Sequence, residues 1–430
     1  MLPPGPAEPP VIQTLRWLTR PVAFLESCRR RYGDTFPVTF LGFASPMVMI
    51  SDPEAVRALY SEPSHGLPAG RTVALQPMVG DRSVLLLEGR EHLARRKLML
   101  PPFHGDRMRA YETIVREAVE RDIATWPASG AFPLHPHMQA ITLEVIQRAV
   151  FGVTDPARRE RLGALLGELL DMTSSAALQF RVLMTRRLGG PDPLGPMQRV
   201  RARVDEVLFA EIRERRAEDE GAGRTDILSL LVSARFEDGA PMDDEELRDQ
   251  LMTLLLAGHE TTATALAWAF DLLLRHPHVL ARLNDELREG GDEYLRAVID
   301  ESLRLRPVLP LAGRRLAAEL RVGSHVLPAG TDVTPAIWLT HTRPDLYPEP
   351  YAFRPERFLG GSPATYAWIP FGGGVRRCLG AAFAEFEMRI VIETVLRHRT
   401  LRAAGPDAER VRRRNITFSP RAGTRVVVAA

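Results

Sequence analysis

The chain has 430 residues, of which 45% are hydrophobic and 26% are charged, and its formal net charge is +2. This composition is typical of a soluble enzyme with a sizeable core, and a net charge so close to zero gives no indication of nucleic-acid binding. No uncharged apolar run of about 18 residues predicts a transmembrane helix. The two cysteines, Cys28 and Cys378, lack zinc spacing. We therefore expect a reducing compartment, the cytoplasm, although the sequence alone leaves a disulfide between them open.

Helical patterns dominate the chain, and short β segments lie near its two ends. A Pro-rich lead, residues 1–9, comes first. Helical patterns cover residues 10–33, 89–100, 106–126, 137–151, 156–172, 197–219, 243–275, 277–289, 291–305 and 381–396. The β patterns cover a hairpin at 34–52 and strands at 320–322, 416–418 and 424–428. Because we expect the β segments of the two ends to pair, we predict a single domain over residues 1–430, mainly α with small β-sheets near both chain ends.

Two connections between these elements are unusually long. Residues 62–87 are rich in Gly and Pro and predict a long loop with one short helix, and residues 343–370 predict a Pro-rich coil. Loops of this length in compact enzymes often bind ligands. By contrast, the start of the long helix is sharply defined, because Asp243 followed by Glu246 is a capping-box pattern.

Cys378 lies in a ten-residue frame, Phe-Gly-Gly-Gly-Val-Arg-Arg-Cys-Leu-Gly, that runs from Phe371 to Gly380. A thiolate can ligate a soft or borderline metal, and haem iron is one such metal. Arg376 could meet an anionic group, and the helical pattern after Gly380 would place the sulfur near a helix N-terminus that stabilises negative charge. An inert cysteine in a glycine-rich turn is the commoner case, but the complete frame favours a metal ligand.

A second pattern is the pair Glu301 and Arg304, spaced three residues apart at the end of a predicted helix. Such a pair faces one side of a helix and, taken alone, is usually an exposed ion pair worth well under about 1 kcal/mol. Arg357 follows in the sequence before the cysteine frame. We therefore predict a buried Arg–Glu–Arg network of Glu301, Arg304 and Arg357.

A third pattern, Ala-Gly-His-Glu-Thr-Thr, starts at Ala257 inside the long predicted helix. Gly258 costs about 1 kcal/mol relative to alanine, and threonine hydroxyls can bond back to carbonyls and bend a helix. A loosened turn would make room for a small ligand, and Glu260 beside Thr261 would supply a proton relay. A helix of poor propensity that uses its glycine for close packing is the alternative.

Three further cationic residues are weaker candidates. His92 and Arg96 are four residues apart on a predicted helix and could jointly bind an anion, although a solvated basic face is the favoured interpretation of this segment alone. Arg314 precedes a predicted strand and carries no signal by itself.

Together these patterns resemble the cytochrome P450 family of haem-thiolate monooxygenases. The cysteine frame matches the family pattern F-x-x-G-x-R-x-C-x-G at every fixed position, and Glu301 with Arg304 matches the E-x-x-R pair. Arg357 matches the arginine that completes this network, and the segment from Ala257 to Thr261 matches the oxygen-binding helix motif. The resemblance extends from about Phe24 to Val428 and implies the cytochrome P450 fold.

The resemblance also implies a role for each matching residue. Cys378 would be the axial thiolate of haem b, Thr261 the alcohol that hydrogen-bonds dioxygen, and Glu260 its acidic neighbour. Phe371, Ala257, Gly258 and Gly380 would lie close to the haem. The residues that would hold the haem propionates are His92, Arg96, Arg314 and Arg376.

Partners follow from the same resemblance. We expect electrons to pass from NAD(P)H through a ferredoxin, or a flavodoxin, and its reductase, because no flavin or iron–sulfur domain is expected in this chain. We also expect a monomer without a membrane anchor. A peroxygenase or a non-redox haem-thiolate enzyme is the alternative within the fold, and a haem sensor or carrier is the alternative from another class.

The substrate is the least defined part of this prediction. Predominantly apolar segments are expected to line its pocket, which suits a lipophilic small molecule such as a fatty acid, terpenoid, steroid or polyketide. The lining residues that we predict are Leu75, Val84, Leu85, Phe180, Leu254, Val308 and Phe418.

Overall fold

The computed structural model describes the chain except for residues 1, 42, 44, 63, 69–70, 104, 175–177, 179–180, 182–184, 186–192, 219–222, 362, 415 and 430. The side chains of residues 71–74, 106–107 and 173–174 are also not described. Among the predicted site residues, Phe180 therefore lies outside the described part of the chain.

The chain divides into two compact units. The first comprises Met1–Gly70, Val115–Ile141 and Glu260–Ala430, and the second comprises Arg71–Ile114 and Thr142–His259. A single domain over the whole chain stays a prediction.

Several helices of the first unit begin at a proline, whose fixed φ suits the first helical position and whose missing N–H has no helical partner there anyway. Its helices are Pro10–Thr19, Pro21–Tyr32, Pro53–Ser61, Pro277–Glu289, Glu293–Leu305, Ile337–His341 and Ala381–His398, with short 3-10 turns at Pro355–Phe358 and Gly374–Arg376. Three helices contribute residues to both units: Glu112–Ile123, His135–Val145 and Asp244–Arg275.

The described regular structure of the second unit consists of helices and an isolated β-bridge between Arg235 and Pro241. Its helices are Arg71–Val79, Gly89–Met99, Pro156–Ser174, Gly195–Ala217 and Ile227–Ser233, with 3-10 turns at Pro101–Phe103 and Gly105–Tyr111 and a π-helical turn at Ile146–Val150. Helix Arg71–Val79 is the short helix expected inside the 62–87 loop.

Among the described residues, the β-sheets lie in the first unit. The four-stranded sheet has the order Thr35–Val38, Met47–Ile50, Asp332–Pro335 and Arg314–Arg315, and only its central pair is parallel. The three-stranded antiparallel sheet has the order Phe132–Pro133, Arg425–Val428 and Leu401–Ala403. Two hairpins complete the set: Leu320–Val322 with His325–Leu327, and Val411–Arg414 with Thr417–Pro420.

The structure confirms the mainly helical class with small sheets and corrects two details. The predicted helix 10–33 is two helices, because Arg20 precedes Pro21 and leaves helical geometry at φ −142° and ψ 60°. The N-terminal hairpin pairs with Asp332–Pro335, whereas the C-terminal strand Arg425–Val428 pairs with Phe132–Pro133 and Leu401–Ala403. The expected pairing between the two chain ends is therefore wrong.

The long helix Asp244–Arg275 starts where its cap predicts. The Asp243 carboxylate accepts the backbone N–H of Glu246 at 2.8 Å, while the Glu246 carboxylate accepts from Arg95 Nε at 2.7 Å. The helix is α-helical throughout, so the loosened turn predicted at Gly258 does not interrupt it. A Cβ atom at Gly258 would lie 3.4 Å from Ile146 Cδ1, which is ordinary contact.

A buried ion-pair network closes the end of helix Glu293–Leu305. Arg304 Nε and Nη2 donate to the two carboxylate oxygens of Glu301 at 2.6 and 2.8 Å, and neither side chain is exposed. Arg357 Nε lies 3.4 Å from Glu301 Oε1. The three side chains thus lie together, and the Glu301–Arg304 pair is internal rather than exposed.

The same helix is tied to the segment that precedes Phe371. His341 Nδ1 lies 3.1 Å from the carbonyl oxygen of Arg304, and His341 Nε2 accepts the N–H of Ile369 at 2.8 Å. Trp368 Nε1 donates to the carbonyl oxygen of Asp300 at 3.1 Å. Burial lowers the pKa of His341 to about 3, so this imidazole is neutral and can accept at Nε2 while Nδ1–H donates to Arg304.

In the described residues, no helix combines the length and the apolar character that a membrane span requires.

The buried network leads to a stability prediction. Arg304→Ala leaves the Glu301 carboxylate without a counter-charge in the interior, which lowers the free energy of unfolding by about 3–5 kcal/mol. Arg288→Ala is the matched control, because Arg288 and Asp285 form an exposed pair with the same three-residue spacing, and such pairs contribute about 0–1 kcal/mol. Urea denaturation of the two variants measures both values. Similar losses from the two substitutions would contradict the importance of burial.

Candidate active site

The loop before Cys378 fits closely around Tyr60. Gly372 and Gly374 have φ of +67° and +64°, which side-chain-bearing residues rarely adopt. A Cβ atom at Gly373 would meet the Tyr60 ring, and one at Gly374 would collide with the Tyr60 carbonyl oxygen. The glycines therefore bring the backbone against Tyr60 and fix the path of the chain towards the cysteine.

Cys378 is exposed at the end of this loop. Its backbone N–H donates to the carbonyl oxygen of Phe371 at 2.9 Å, so the frame folds back on itself. Gly380 is the N-cap of helix Ala381–His398, which puts the sulfur near the positive end of a helix, as the sequence predicts. Arg376 and Phe371 are half-buried in the same loop.

Cys28 differs from Cys378 in its burial and its surroundings. It is buried among Phe24, Leu25 and other core residues, and burial raises the pKa of its thiol to about 11. In the described part of the chain, neither cysteine forms a disulfide. Cys28 is therefore a core side chain, whereas Cys378 is exposed.

Arg314 provides a test of whether an anionic cofactor fits beside this loop. It is 6% exposed, its guanidinium stacks on the Tyr60 ring at 5.0 Å, and it donates to the carbonyl oxygens of Gly313 and Gly373 at 2.8 and 3.3 Å. Within the described residues, no carboxylate forms an ion pair with it, and burial lowers its pKa. A buried cation without a carboxylate is costly, so this position suits an anionic ligand group such as a propionate.

One face of helix Asp244–Arg275 is open although the helix is otherwise largely buried. Leu254, Gly258 and Thr261 are half-buried and Ala257 is exposed, whereas Leu251, Leu255, Thr262 and the residues from Ala263 to Ala269 are buried. The spacing of the four open positions places them on one stripe of the helix. Part of the predicted oxygen-binding motif is therefore accessible to solvent in the described part of the chain, whereas His259 and Thr262 are buried.

Glu260 lies beside this stripe, among polar groups of the first unit. Its carboxylate accepts from Gln139 Nε2 at 2.7 Å and from Thr264 Oγ1 at 3.4 Å. Arg414 Nε and His135 Nε2 lie 3.6 and 3.9 Å from the same carboxylate. Burial raises the pKa of Glu260, and Arg414 opposes this shift. The carboxyl group is thus anchored and titrates closer to neutral pH than a free glutamate.

In the second unit, His92 and Arg96 lie one turn apart on helix Gly89–Met99. His92 is 4% exposed and Arg96 is half-buried. The expectation of a fully solvated basic face is wrong for these two, because their side chains are largely withdrawn from solvent.

The predicted substrate-lining residues of the second unit lie near the long helix. Val84 is buried, and its N–H donates to Gln250 Oε1 at 3.1 Å. Ser83 Oγ and Thr253 Oγ1 are 2.6 Å apart, which ties the loop to the turn that precedes Leu254. Leu75 and Leu85 are half-buried.

In the first unit, the prediction that Phe418 lines the substrate pocket is corrected. Phe418 is 1% exposed and packs against Trp17 and Trp338, with ring centroids 5.7 and 6.2 Å away. It is a core residue, because its aromatic ring fills the space between two tryptophans. Its N–H donates to the carbonyl oxygen of Val308 at 2.8 Å, so it supports the buried Val308 segment through the backbone.

Sequence reasoning did not find Tyr60 and His341. Tyr60 supports both the glycine loop and Arg314, and burial raises the pKa of its hydroxyl to about 12; this hydroxyl donates to the carbonyl oxygen of Ala312 at 3.1 Å. Neither residue lies in a recognisable motif. A buried tyrosine or histidine has no signal in sequence until its distant partners are known.

Comparisons with known proteins agree with this geometry. The family model described as Cytochrome P450 matches residues 3–415. This chain belongs to the cytochrome P450 family. A Mycobacterium bovis relative provisionally named cytochrome P450 135B1 is 42% identical over 441 residues, covering 100% of this P450 and 92% of the relative. A Mycobacterium tuberculosis relative provisionally named cytochrome P450 137 is 42% identical over 400 residues, with coverage of 92% and 83%.

The fold comparison gives the same result. The solved structure titled retinoic acid bound cyanobacterial CYP120A1 matches this P450 with a TM-score of 0.85 and 26% identity, covering 100% of this chain and 99% of the other. The P450 is therefore a haem-thiolate monooxygenase that uses haem b, O2 and electrons derived from NAD(P)H through redox partners.

The glycine loop leads to the second prediction. Gly374→Ala combines a strained φ, worth about 1–2 kcal/mol, with a collision at the Tyr60 carbonyl, so we expect loss of most bound haem and a lower unfolding temperature. Gly330→Ala is the control, because Gly330 has φ +82° but a Cβ atom there would meet no atom within 4 Å. Haem absorbance per protein measures the difference. Full haem content in Gly374→Ala would show that the loop does not require this fit.

Proposed function

We propose that this P450 inserts one oxygen atom from O2 into a lipophilic small molecule and receives electrons from a separate ferredoxin or flavodoxin and its reductase. The observation that carries the proposal is the open stripe of Leu254, Ala257 and Thr261 on an otherwise buried helix, with the anchored Glu260 beside it. This stripe combines apolar contacts for a substrate with an alcohol and an acid for proton transfer.

The residues that would hold the haem fit its chemistry. Cys378 would supply a thiolate ligand to the haem iron, and a thiolate-ligated haem would supply the oxidation chemistry. Arg314 and Arg376 would hold propionates in the first unit, and His92 and Arg96 remain the predicted propionate ligands of the second. The buried position of Arg314 is the strongest support for this assignment.

Thr261 and Glu260 would control proton delivery. Thr261 donates a hydrogen bond at the open stripe, and Glu260 supplies protons from beside it. Because burial raises the Glu260 pKa, its protonated fraction is larger near neutral pH than that of a free glutamate, and this fraction falls as pH rises. Gln139 and Arg414 restrain the carboxyl group while it exchanges protons.

A lipophilic substrate suits the apolar side chains that we predict to line its pocket. Leu75, Val84, Leu85, Leu254 and Val308 offer only hydrocarbon contacts. The structural neighbour bound to retinoic acid, itself an apolar polyene acid, supports the same class. Fatty acids, terpenoids, steroids and polyketides all belong to this lipophilic class.

A reducing compartment and the cytoplasmic location stay predictions. A monomer stays a prediction. The peroxygenase and sensor alternatives are less suited to this chain, because neither needs an anchored acid beside an alcohol.

The proposed function is tested by comparing two adjacent threonines. Ligands are first selected by the haem spin-state shift in a screen of fatty acids, terpenes and steroids. Turnover of the best ligand is then measured with NAD(P)H, ferredoxin and reductase. We expect Thr261→Ala to lose about tenfold or more of coupled product formation, as removal of a hydrogen bond of about 1.5–3 kcal/mol implies. Thr262→Ala, on the buried face, should retain it.

Three outcomes would contradict the proposal. A screen in which only polar compounds shift the spin state would exclude the lipophilic substrate. Activity with peroxide alone would favour the peroxygenase, and undiminished coupling in Thr261→Ala would show that the hydroxyl is idle.

A further inference from the structure

Residues 80–87, which we call the clamped segment, contain no helix or strand and are held by side chains of the long helix. The N–H of Arg82 donates to Asp249 Oδ2 at 2.9 Å, and the carbonyl oxygen of Arg82 accepts from Gln250 Nε2 at 2.7 Å. The N–H of Val84 donates to Gln250 Oε1 at 3.1 Å. Gln250 is fully buried, so one internal amide bonds the backbone on both sides of a single residue.

That residue, Ser83, is also fully buried and fixes the turn that follows it. The Thr253 hydroxyl donates its only proton to the carbonyl oxygen of Asp249 at 2.6 Å, so Ser83 is the donor in the 2.6 Å contact between the two hydroxyls. The carbonyl oxygen of Ser83 accepts the N–H groups of Leu86 and Leu87 at 2.8 and 3.1 Å. The position of Ser83 therefore sets the position of the leucines after it.

Asp249 also lies against the start of the clamped segment. Gly80 has φ +81°, and a Cβ atom there would collide with the Asp249 carboxylate. Arg248 Nη1 donates to Oδ1 of this carboxylate at 2.6 Å, whereas Oδ2 accepts the backbone N–H of Arg82. Because both oxygens are bonded and glycine alone allows this approach, the carboxylate and the backbone fit each other closely.

The side chains that hold the clamped segment continue the open stripe of the long helix. Gln250 precedes Leu254 by four residues, and Leu254 precedes Ala257 by three, so these positions lie on one side of the helix. Residues 85–87 are three consecutive leucines, and each is half-buried. The segment therefore keeps apolar surface for a ligand at the point where the polar part of the helix side gives way to its apolar part.

We propose that Asp249 and Gln250 are positioning residues for substrate binding, because they hold the clamped segment in place before a ligand arrives. The proposal rests on the proposed function, since it takes this segment and the open stripe to contact a lipophilic substrate. Without these bonds the ligand would have to order the segment, and its apparent dissociation constant would rise as the ordered fraction falls. The chemical step of the bound substrate would be unchanged.

Gln250→Leu tests the proposal, because it removes two hydrogen bonds and keeps a buried side chain of similar size. In the ligand-free, haem-loaded protein, we expect the backbone amides of residues 82–87 to exchange with deuterium about tenfold faster or more. The binding probe is the fatty acid, terpene or steroid that shifts the wild-type spin state most. Its Kd and KM should rise about tenfold, with kcat within about twofold of the wild-type value.

Ser83→Ala is a milder second variant, because it removes the hydroxyl and leaves both bonds of Gln250. It should change amide exchange and Kd in the same direction by a smaller factor, and it decides the question if Gln250→Leu does not fold. Haem content and circular dichroism establish the fold of each variant.

Gln147→Leu is the matched control in the same unit. Gln147 is 5% exposed, and its Nε2 donates to the carbonyl oxygen of Arg159 at 3.1 Å. The substitution thus removes a comparable buried hydrogen bond away from the clamped segment. Exchange at residues 82–87 and the Kd of the probe should stay as in the wild type.

The proposal is overturned if Gln250→Leu leaves amide exchange unchanged, or if exchange becomes faster while the probe binds as tightly as before. It is also overturned if Gln147→Leu has the same effects, because general destabilisation would then explain them. A loss of kcat at unchanged Kd would contradict a role in binding. If no lipophilic compound shifts the wild-type spin state, the proposed function itself fails, whereas equal binding by the wild type and Gln250→Leu overturns the positioning role alone.

Discussion

The ion pair of Glu301 and Arg304 is the interaction on which the geometry around Cys378 depends. Both side chains are fully buried, and the carboxylate also accepts the N–H of Arg354 at 2.9 Å. Arg304 Nη1 donates to the carbonyl oxygens of His341 and Pro350 at 2.7 and 2.8 Å. One helix end thereby holds the end of helix Ile337–His341 and the coil around Pro350, both of which precede the cysteine loop in the chain.

A buried ion pair is weak evidence for stability, since desolvation offsets much of the attraction. Its role here is to fix the positions of the chain segments that are bonded to it. His341 transmits the position of Arg304 to Ile369, two residues before Phe371, and the glycine loop then closes on Tyr60. The loop that carries Cys378 is therefore held by buried hydrogen bonds, whereas the apolar residues proposed to contact substrate lie on loops, on helix Arg71–Val79 and on one open helix stripe.

The sequence predicted those parts of the site whose members are close together in the chain. The cysteine frame and the Glu301–Arg304 pair are local patterns, so spacing alone identified them. The burial of that pair was not readable from its spacing, because exposed Asp285 and Arg288 have the same spacing. Tyr60 and His341 were missed because their partners are distant in the chain. Phe418 was assigned to the pocket because an aromatic residue in a strand suits a core and a pocket equally well. The break between the first two helices was predictable, because Pro21 disfavours helical geometry at the residue before it.

The carbon monoxide spectrum of the reduced His341→Phe variant tests this account most directly. The substitution keeps an aromatic ring but removes the imidazole that bonds the N–H of Ile369 and the carbonyl of Arg304. Each buried group left without its hydrogen bond lowers the stability of this region by about 1–3 kcal/mol. We expect helicity to be retained while the red-shifted band of thiolate-ligated haem is largely lost, because the cysteine loop is no longer held in place. A band of wild-type position and intensity would contradict the claim that the buried network positions the thiolate.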